Sequence, residues 1–331
     1  MRNQSCLRST LVEMKLLACL TVAISLATAA PAQTPQPSGA PAATQAPSVT
    51  LILVHGRNQP VDKRAEIEAE WEAAVSSGLA RAGHPDLIPA SQRRFVWFAD
   101  LLQPGARGCS FLDKGAADAY KAPGISKWPS LRDLFARAAE KLNNQDQKAL
   151  VTAVMADVET YLGNGAAACA VDGRFRDAFG DGAAAQRIAP EGPVVIVAHS
   201  LGSMIVYKNL MNRLADTHRP VYLVTIGAMV GARVVQQTLL GSHADYPARV
   251  PLPVKGWWNV VNTQDSLAFP AASAFTSGTP SKRPHDTVLD LGGPDGHSAT
   301  RYLESAAIGK AIADAWCSAS PKDAACAATA H

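Results

Sequence analysis

An α/β fold, with a mostly parallel sheet and helices on both faces, is predicted by three observations. Val49 to Val54 and Pro193 to Ala198 are continuous apolar runs containing β-branched residues, the composition of strands buried on both faces. Ala65 to Ala82 has helical spacing, with Ile67, Trp71, Val75 and Leu79 recurring every four residues,. Strand and helix units then alternate through most of the chain, a pattern that implies a mostly parallel sheet.

The elements follow in order. The first strand ends at His55-Gly56, and the helix after it gathers Glu66, Glu68, Glu70 and Glu72 near its start, where carboxylates suit the positive end of the helix dipole. Gly83 to Pro85 ends that helix, and Phe95 to Phe98 is the next strand. From Leu101 to about Glu191 the alternation gives way to Gly- and Ala-rich stretches, with weaker helical segments near 130–142 and 147–161. This segment reads as a cap inserted into the alternation. Pro193 to Ala198 is a strand, Ser203 to Leu214 a helix, and Val221 to Ile226, Gly256 to Asn262 and Thr287 to Leu291 are strands. Ala299 to Ala315 is a terminal helix, so the folded domain spans 49–318, with a tail at 319–331.

The chain has 331 residues, 47% hydrophobic and 18% charged, enough to bury one large core or a core and a cap. Lys15, the apolar run Leu16 to Ala30, and Ala30-Pro31-Ala32 before Gln33 read as an export signal over 1–32. Initiation at Met14 would shorten it. The run is short for a membrane span; acylation at Cys19 and an uncleaved anchor are the competing readings. Gln33 to Ser48, rich in Pro, Ala, Thr and Gln, reads as a disordered linker.

Loss of 1–32 leaves 28 basic and 27 acidic side chains, from 31 and 28 in the whole chain. A balance so near neutral argues against a nucleic-acid partner. Of six cysteines, Cys109, Cys169, Cys317 and Cys326 remain, an even number that suits two disulfides in an exported protein. Proximity favours Cys109 with Cys169 and Cys317 with Cys326, among three formal pairings; buried thiols are the alternative. No C-x-x-C spacing or Cys/His cluster calls for a metal, and no cofactor is implied.

Ala198-His199-Ser200-Leu201-Gly202 lies between a strand and a helix, the context of a nucleophile elbow. A sharp turn there presents the serine, and small residues two positions either side let strand and helix approach. Glycine at both positions is the usual pattern, so Ala198 departs from it by one methyl group. The helix start also places the Leu201 N–H where negative charge would develop.

With its strand ending in His55-Gly56, its elbow at Ser200, and an acid and a histidine following in that order, the chain resembles the α/β-hydrolase family over about 49–318. Bacterial esterases and lipases are the nearest kind. The resemblance implies a carboxylic ester as substrate, whether small, lipid or polymeric. It also implies a second oxyanion N–H from the residue after the His-Gly pair, Arg57. The family order puts the base near the C-terminus, among His285, His297 and His331. His297 follows the last strand in a Gly-rich loop and fits; His285 precedes that strand and His331 is terminal. Asp265, just past Gly256 to Asn262, fits the acid, with Asp286, Asp290 and Asp295 competing. His55 and His199 read as packing or hydrogen-bonding supports, and Asp100 as a pocket-border or capping residue. Acyl transfer or amide hydrolysis would use the same residues, and a non-catalytic binding module is the reading from another class.

Overall fold

The computed structural model describes residues 48–56, 59–110, 113–140, 145–181, 192–241, 245–277, 279, 282–292 and 295–329. The signal over 1–32, nearly all of the 33–48 linker, Arg57 and His331 lie outside the described residues.

Six strands form one parallel sheet: β1 (Thr50–Val54), β2 (Arg93–Val96), β3 (Val194–His199), β4 (Val221–Ile226), β6 (Val254–Asn262) and β8 (His285–Leu289). β5 (Ala248–Arg249) and β7 (Phe275–Thr276) make a separate two-stranded parallel pair. The sheet order is β2-β1-β3-β4-β6-β8. The chain thus moves outward from β1 to β2, then crosses back past β1 to β3 and continues the other way. That reversal opens a crevice at the carboxyl ends of β1 and β3, the place where open α/β sheets bind ligands.

Strand alternation divides the interior into two cores. Leu51, Leu53, Val195, Val197, Val224, Ile226 and Val260 face α1 (Arg64–Arg81), α8 (Ala299–Leu303) and α9 (Ala306–Ala319). Ile52, Val54, Ile196, Ala198 and Leu223 face α3 (Trp128–Glu140), α4 (Gln145–Gly163), α5 (Gly165–Phe179), α6 (Leu201–Met211) and α7 (Arg233–Leu240). Both faces are covered at the central strands, so β1, β3 and β4 read as largely apolar runs rather than alternating ones,.

Several boundaries differ from the sequence reading. The second strand is Arg93–Val96, not Phe95–Phe98. It is an edge strand, so Arg93 is tolerated there, reaching Glu72 at 2.9 Å and Ser76 at 2.8 Å. The last strand, His285–Leu289, begins two residues earlier than predicted. The single terminal helix is two, broken at Glu304-Ser305 because Ser305 caps α9, its Oγ accepting from Ile308 N at 3.3 Å,.

Within 101–191 the predicted helices occur as α3 and α4, with a short α2 (Lys114–Asp118) before them. α5 was not foreseen. Asn164 caps it by accepting from Ala166 N and Ala167 N, Gly180 ends it at φ 91°, and Ala168, Val171, Phe175 and Phe179 form its buried face. It is the crossover helix that returns the chain to β3.

Two disulfides join Cys109 to Cys169 and Cys317 to Cys326. A buried ion pair ties α5 to α6: Lys208 Nζ lies 3.0 Å from Asp172 Oδ2, and Asp172 Oδ1 accepts from Tyr161 Oη at 2.7 Å and Asn209 Nδ2 at 2.8 Å. No helix among the described residues is long and apolar enough to cross a membrane.

Candidate active site

β3 ends at His199, and the chain turns so sharply at Ser200 that its φ is 51° and ψ −125°. It is the one non-glycine among the described residues with positive φ, a conformation that costs on the order of 1–3 kcal/mol and persists only where the surroundings enforce it. Ser200 N donates to Ile226 O at 3.2 Å, and Ser200 O accepts from Ser203 N at 3.0 Å and Ser203 Oγ at 2.6 Å. A β-carbon at Gly202 would fall 2.5 Å from His55 O and 2.6 Å from Val54 O. The fully buried Ala198 takes the other small position.

The structure brings three of the predicted residues into one hydrogen-bonded line. His297 Nε2 is 2.9 Å from Ser200 Oγ, and His297 Nδ1 is 2.8 Å from Asp265 Oδ2. An ionised carboxylate only accepts, so Nδ1 carries the hydrogen and Nε2 offers its lone pair to the serine hydroxyl.

Asp265 is buried just past β6. Its Oδ1 accepts from Leu267 N at 2.9 Å, and its Oδ2 accepts from Tyr302 Oη at 2.9 Å as well as from His297. Burial alone would raise its pKa. The charge of His297 and the hydrogen bonds from His297, Leu267 N–H and Tyr302 outweigh burial and hold the carboxyl below its ordinary value,. Tyr302, fully buried on α8, also accepts from Asn262 N at 3.0 Å. Burial, then the adjacent carboxylate, pushes its phenol well up. Asn262 pins the two loops together: its Nδ2 donates to Gly296 O at 2.9 Å, and its Oδ1 accepts from Leu291 N at 3.0 Å.

Tyr302 and Asn262 escaped the sequence reading. The signal available for Tyr302 was only an aromatic five residues past His297, whose buried hydroxyl must find a partner.

The rival candidates lie elsewhere or are otherwise engaged. Asp286 accepts from Ala271 N, Ala272 N and Asn259 Nδ2, fixing the loop after Asp265. Asp290 caps Gly292 N at 2.8 Å and receives Gln264 Nε2 at 3.3 Å. Asp295 is exposed on the cleft wall, and its carbonyl accepts from Ser298 N at 3.0 Å. His285 opens β8, at the other end of that strand from the His297 loop. Asp100 forms a bidentate pair with Arg174 on α5, at 2.7 and 2.8 Å.

Both histidines read as supports are buried and neutral. His55 stacks on Phe98 with centroids 3.9 Å apart, accepts from Phe98 N at 3.1 Å, and donates from Nδ1 to Gly56 O. Burial lowers its pKa to about 3. His199 likewise falls to about 3, through burial first and the neighbouring His297 charge second.

Ser200 and His297 sit in a cleft of about 260 Å³ walled by Ile67 and Trp71 of α1 and by Ser298 and Thr300 around the start of α8. Among the described residues, those lining this cleft come from outside 101–191. The Leu201 N–H is the first of α6 and so has no acceptor within the helix. Among the described residues no group of His, Cys, Asp and Glu side chains could hold a metal ion.

Comparison with protein-family models, curated proteins and solved structures found no match to this chain.

Proposed function

We propose that this chain is a serine hydrolase of the α/β-hydrolase kind that cleaves carboxylic esters through an acyl-enzyme. The observation that carries the reading is the line Asp265–His297–Ser200, at 2.8 and 2.9 Å, ending on a serine whose backbone is held at positive φ. The sheet order and the chain order of serine, acid and histidine support the family,.

In this mechanism Ser200 Oγ attacks the ester carbonyl carbon while its proton passes to His297 Nε2. Asp265 stabilises the imidazolium, and N–H groups of Leu201 and Arg57 receive the oxyanion. Collapse expels the alcohol, which takes the proton from His297. Water then attacks the acyl-enzyme, again giving a proton to His297, and the carboxylic acid leaves as Ser200 recovers its hydrogen. Residues 101–191, read from the sequence as a cap, contribute α3, α4 and α5 to one face of the sheet and no described residue to the cleft, and the Cys109–Cys169 bridge ties the loop before α2 to α5. Export after removal of 1–32 accords with the two disulfides,.

A fluorophosphonate tests the reading. It adds its phosphonyl mass to Ser200 in the parent protein and not in Ser200→Ala. Equal labelling of both, or none of the parent, would overturn it.

A further inference from the structure

Four parts of the site meet at the ring of His199. The residue precedes Ser200 in the chain, and its ring centroid lies 4.7 Å from that of His297. Its Nε2 is 2.9 Å from the backbone oxygen of His297. That partner can only accept, so Nε2 carries the ring hydrogen and Nδ1 is left as an acceptor. Nδ1 is buried and has no hydrogen-bond partner among the described residues.

Two glycines fence the ring. A β-carbon at Gly56 would lie 2.6 Å from His199 Nδ1, and one at Gly227 would lie 3.1 Å from Nε2 and 3.0 Å from Asp265 Oδ2. The loop after β1 and the turn after β4 are thus both stripped to backbone where this imidazole passes.

A ring that buries an unanswered acceptor is a poor choice for packing alone, since an apolar side chain of similar size would bury no polar atom of its own and would lose only the bond to the His297 carbonyl,. What His199 adds is one directed N–H.

We propose that His199 is a positioning residue: its Nε2–H holds the main-chain carbonyl of His297 and so sets the distance and plane at which that imidazole meets Ser200. This rests on the hydrolase reading. A charged donor in the same place would repel the imidazolium that forms on His297 during acyl transfer. Burial keeps His199 uncharged with a pKa of about 3; His297, Asp265, His55 and Tyr302 are its charged or titratable neighbours, and Glu70 and Asp295 line the same cleft.

The test compares His199→Gln, whose amide can present an N–H near the Nε2 position, with His199→Leu, which cannot. With a small aryl ester, Leu is expected to lower kcat about tenfold, the positioning worth of one hydrogen bond, with little change in KM. It also displaces the acid limb of the pH profile. Gln is expected to recover most of kcat and the parent profile. Thermal unfolding confirms that both variants are folded. In parallel, NMR titration of the His297 ring follows its pKa without any turnover: a shift in Leu that is absent in Gln supports the strut even if the parent reacts with neither ester nor fluorophosphonate, an outcome that would sink the hydrolase reading alone. Parent-like kinetics and titration in Leu, or equal damage in Leu and Gln, would overturn the proposal.

Discussion

Tyr302 and His297 share one atom: the Tyr302 hydroxyl and His297 Nδ1 approach Oδ2 of Asp265 at 2.9 and 2.8 Å. The phenol therefore helps hold the carboxylate against the imidazole, with Leu267 N–H on the other oxygen. Tyr302 itself is held by the Asn262 N–H behind it. Tyr302→Phe removes the donor to Asp265 and strands that N–H. It should cost about 1–2 kcal/mol of stability, read by urea unfolding, and, on the hydrolase reading, reduce kcat several-fold with KM nearly constant.

Acid sensitivity has an identifiable source in the buried histidines. His55 and His199 fall from 6.5 to about 3 on folding, so between those values the unfolded chain binds protons that the folded chain does not. Each stabilises the fold fully above about pH 6.5 and loses about 1.4 kcal/mol per pH unit as pH falls towards its folded value. Asp265, whose folded pKa is depressed, also loses its contribution on acidification, below its ordinary carboxylate range. Urea midpoints measured from pH 7 to pH 5 should decline, and His199→Gln should flatten that decline by about one proton. An unchanged slope in the variant would contradict the assignment.

The pair Asp172 and Lys208 makes a different prediction. Both side chains are nearly inaccessible, at 3% and 6% exposure, so Asp172→Ala leaves an ammonium buried with no counter-charge. The expected loss is about 3–5 kcal/mol. Lys208→Met in the same background should restore part of it, because a buried pair is harmed more by losing one member than by losing both. Denaturant unfolding of the single and double variants decides.

Loop lengths set the worth of the two bridges. With separations of 60 and 9 residues, the chain-entropy relation gives roughly 4 kcal/mol for Cys109–Cys169 and roughly 3 kcal/mol for Cys317–Cys326. Paired alanine variants at each bridge should lower unfolding free energies in that order.

What was readable in the sequence follows the range of the interactions involved. The turn at Ser200 is a local event, written in Ala198 and Gly202 on either side, and the central strands β1, β3 and β4 announce themselves by largely apolar runs. His297 and Asp265 could be singled out because their loops follow strands whose order in the chain was clear. Tyr302 could not, since its role depends on the break at Ser305 and on the distance from α8 to the turn after β6. α5 was overlooked because alanine and glycine mask its period, although Asn164 and Gly180 mark its two ends. The donor role of His199 is a matter of one carbonyl from a loop 98 residues away, a relation no local pattern records.

In the chain, 97 residues separate Ser200 from His297, and Tyr302 comes later still. On the hydrolase reading, a partly synthesised polypeptide that has completed β3 and α6 carries the serine without its base or the support beneath its acid. Chemical silence is then the default of the unfinished molecule, and the proposed reactivity at Ser200 arrives only with the last helices. Trapping that serine at successive times after dilution from denaturant would time the closing of the fold itself, with the nucleophile acting as a clock.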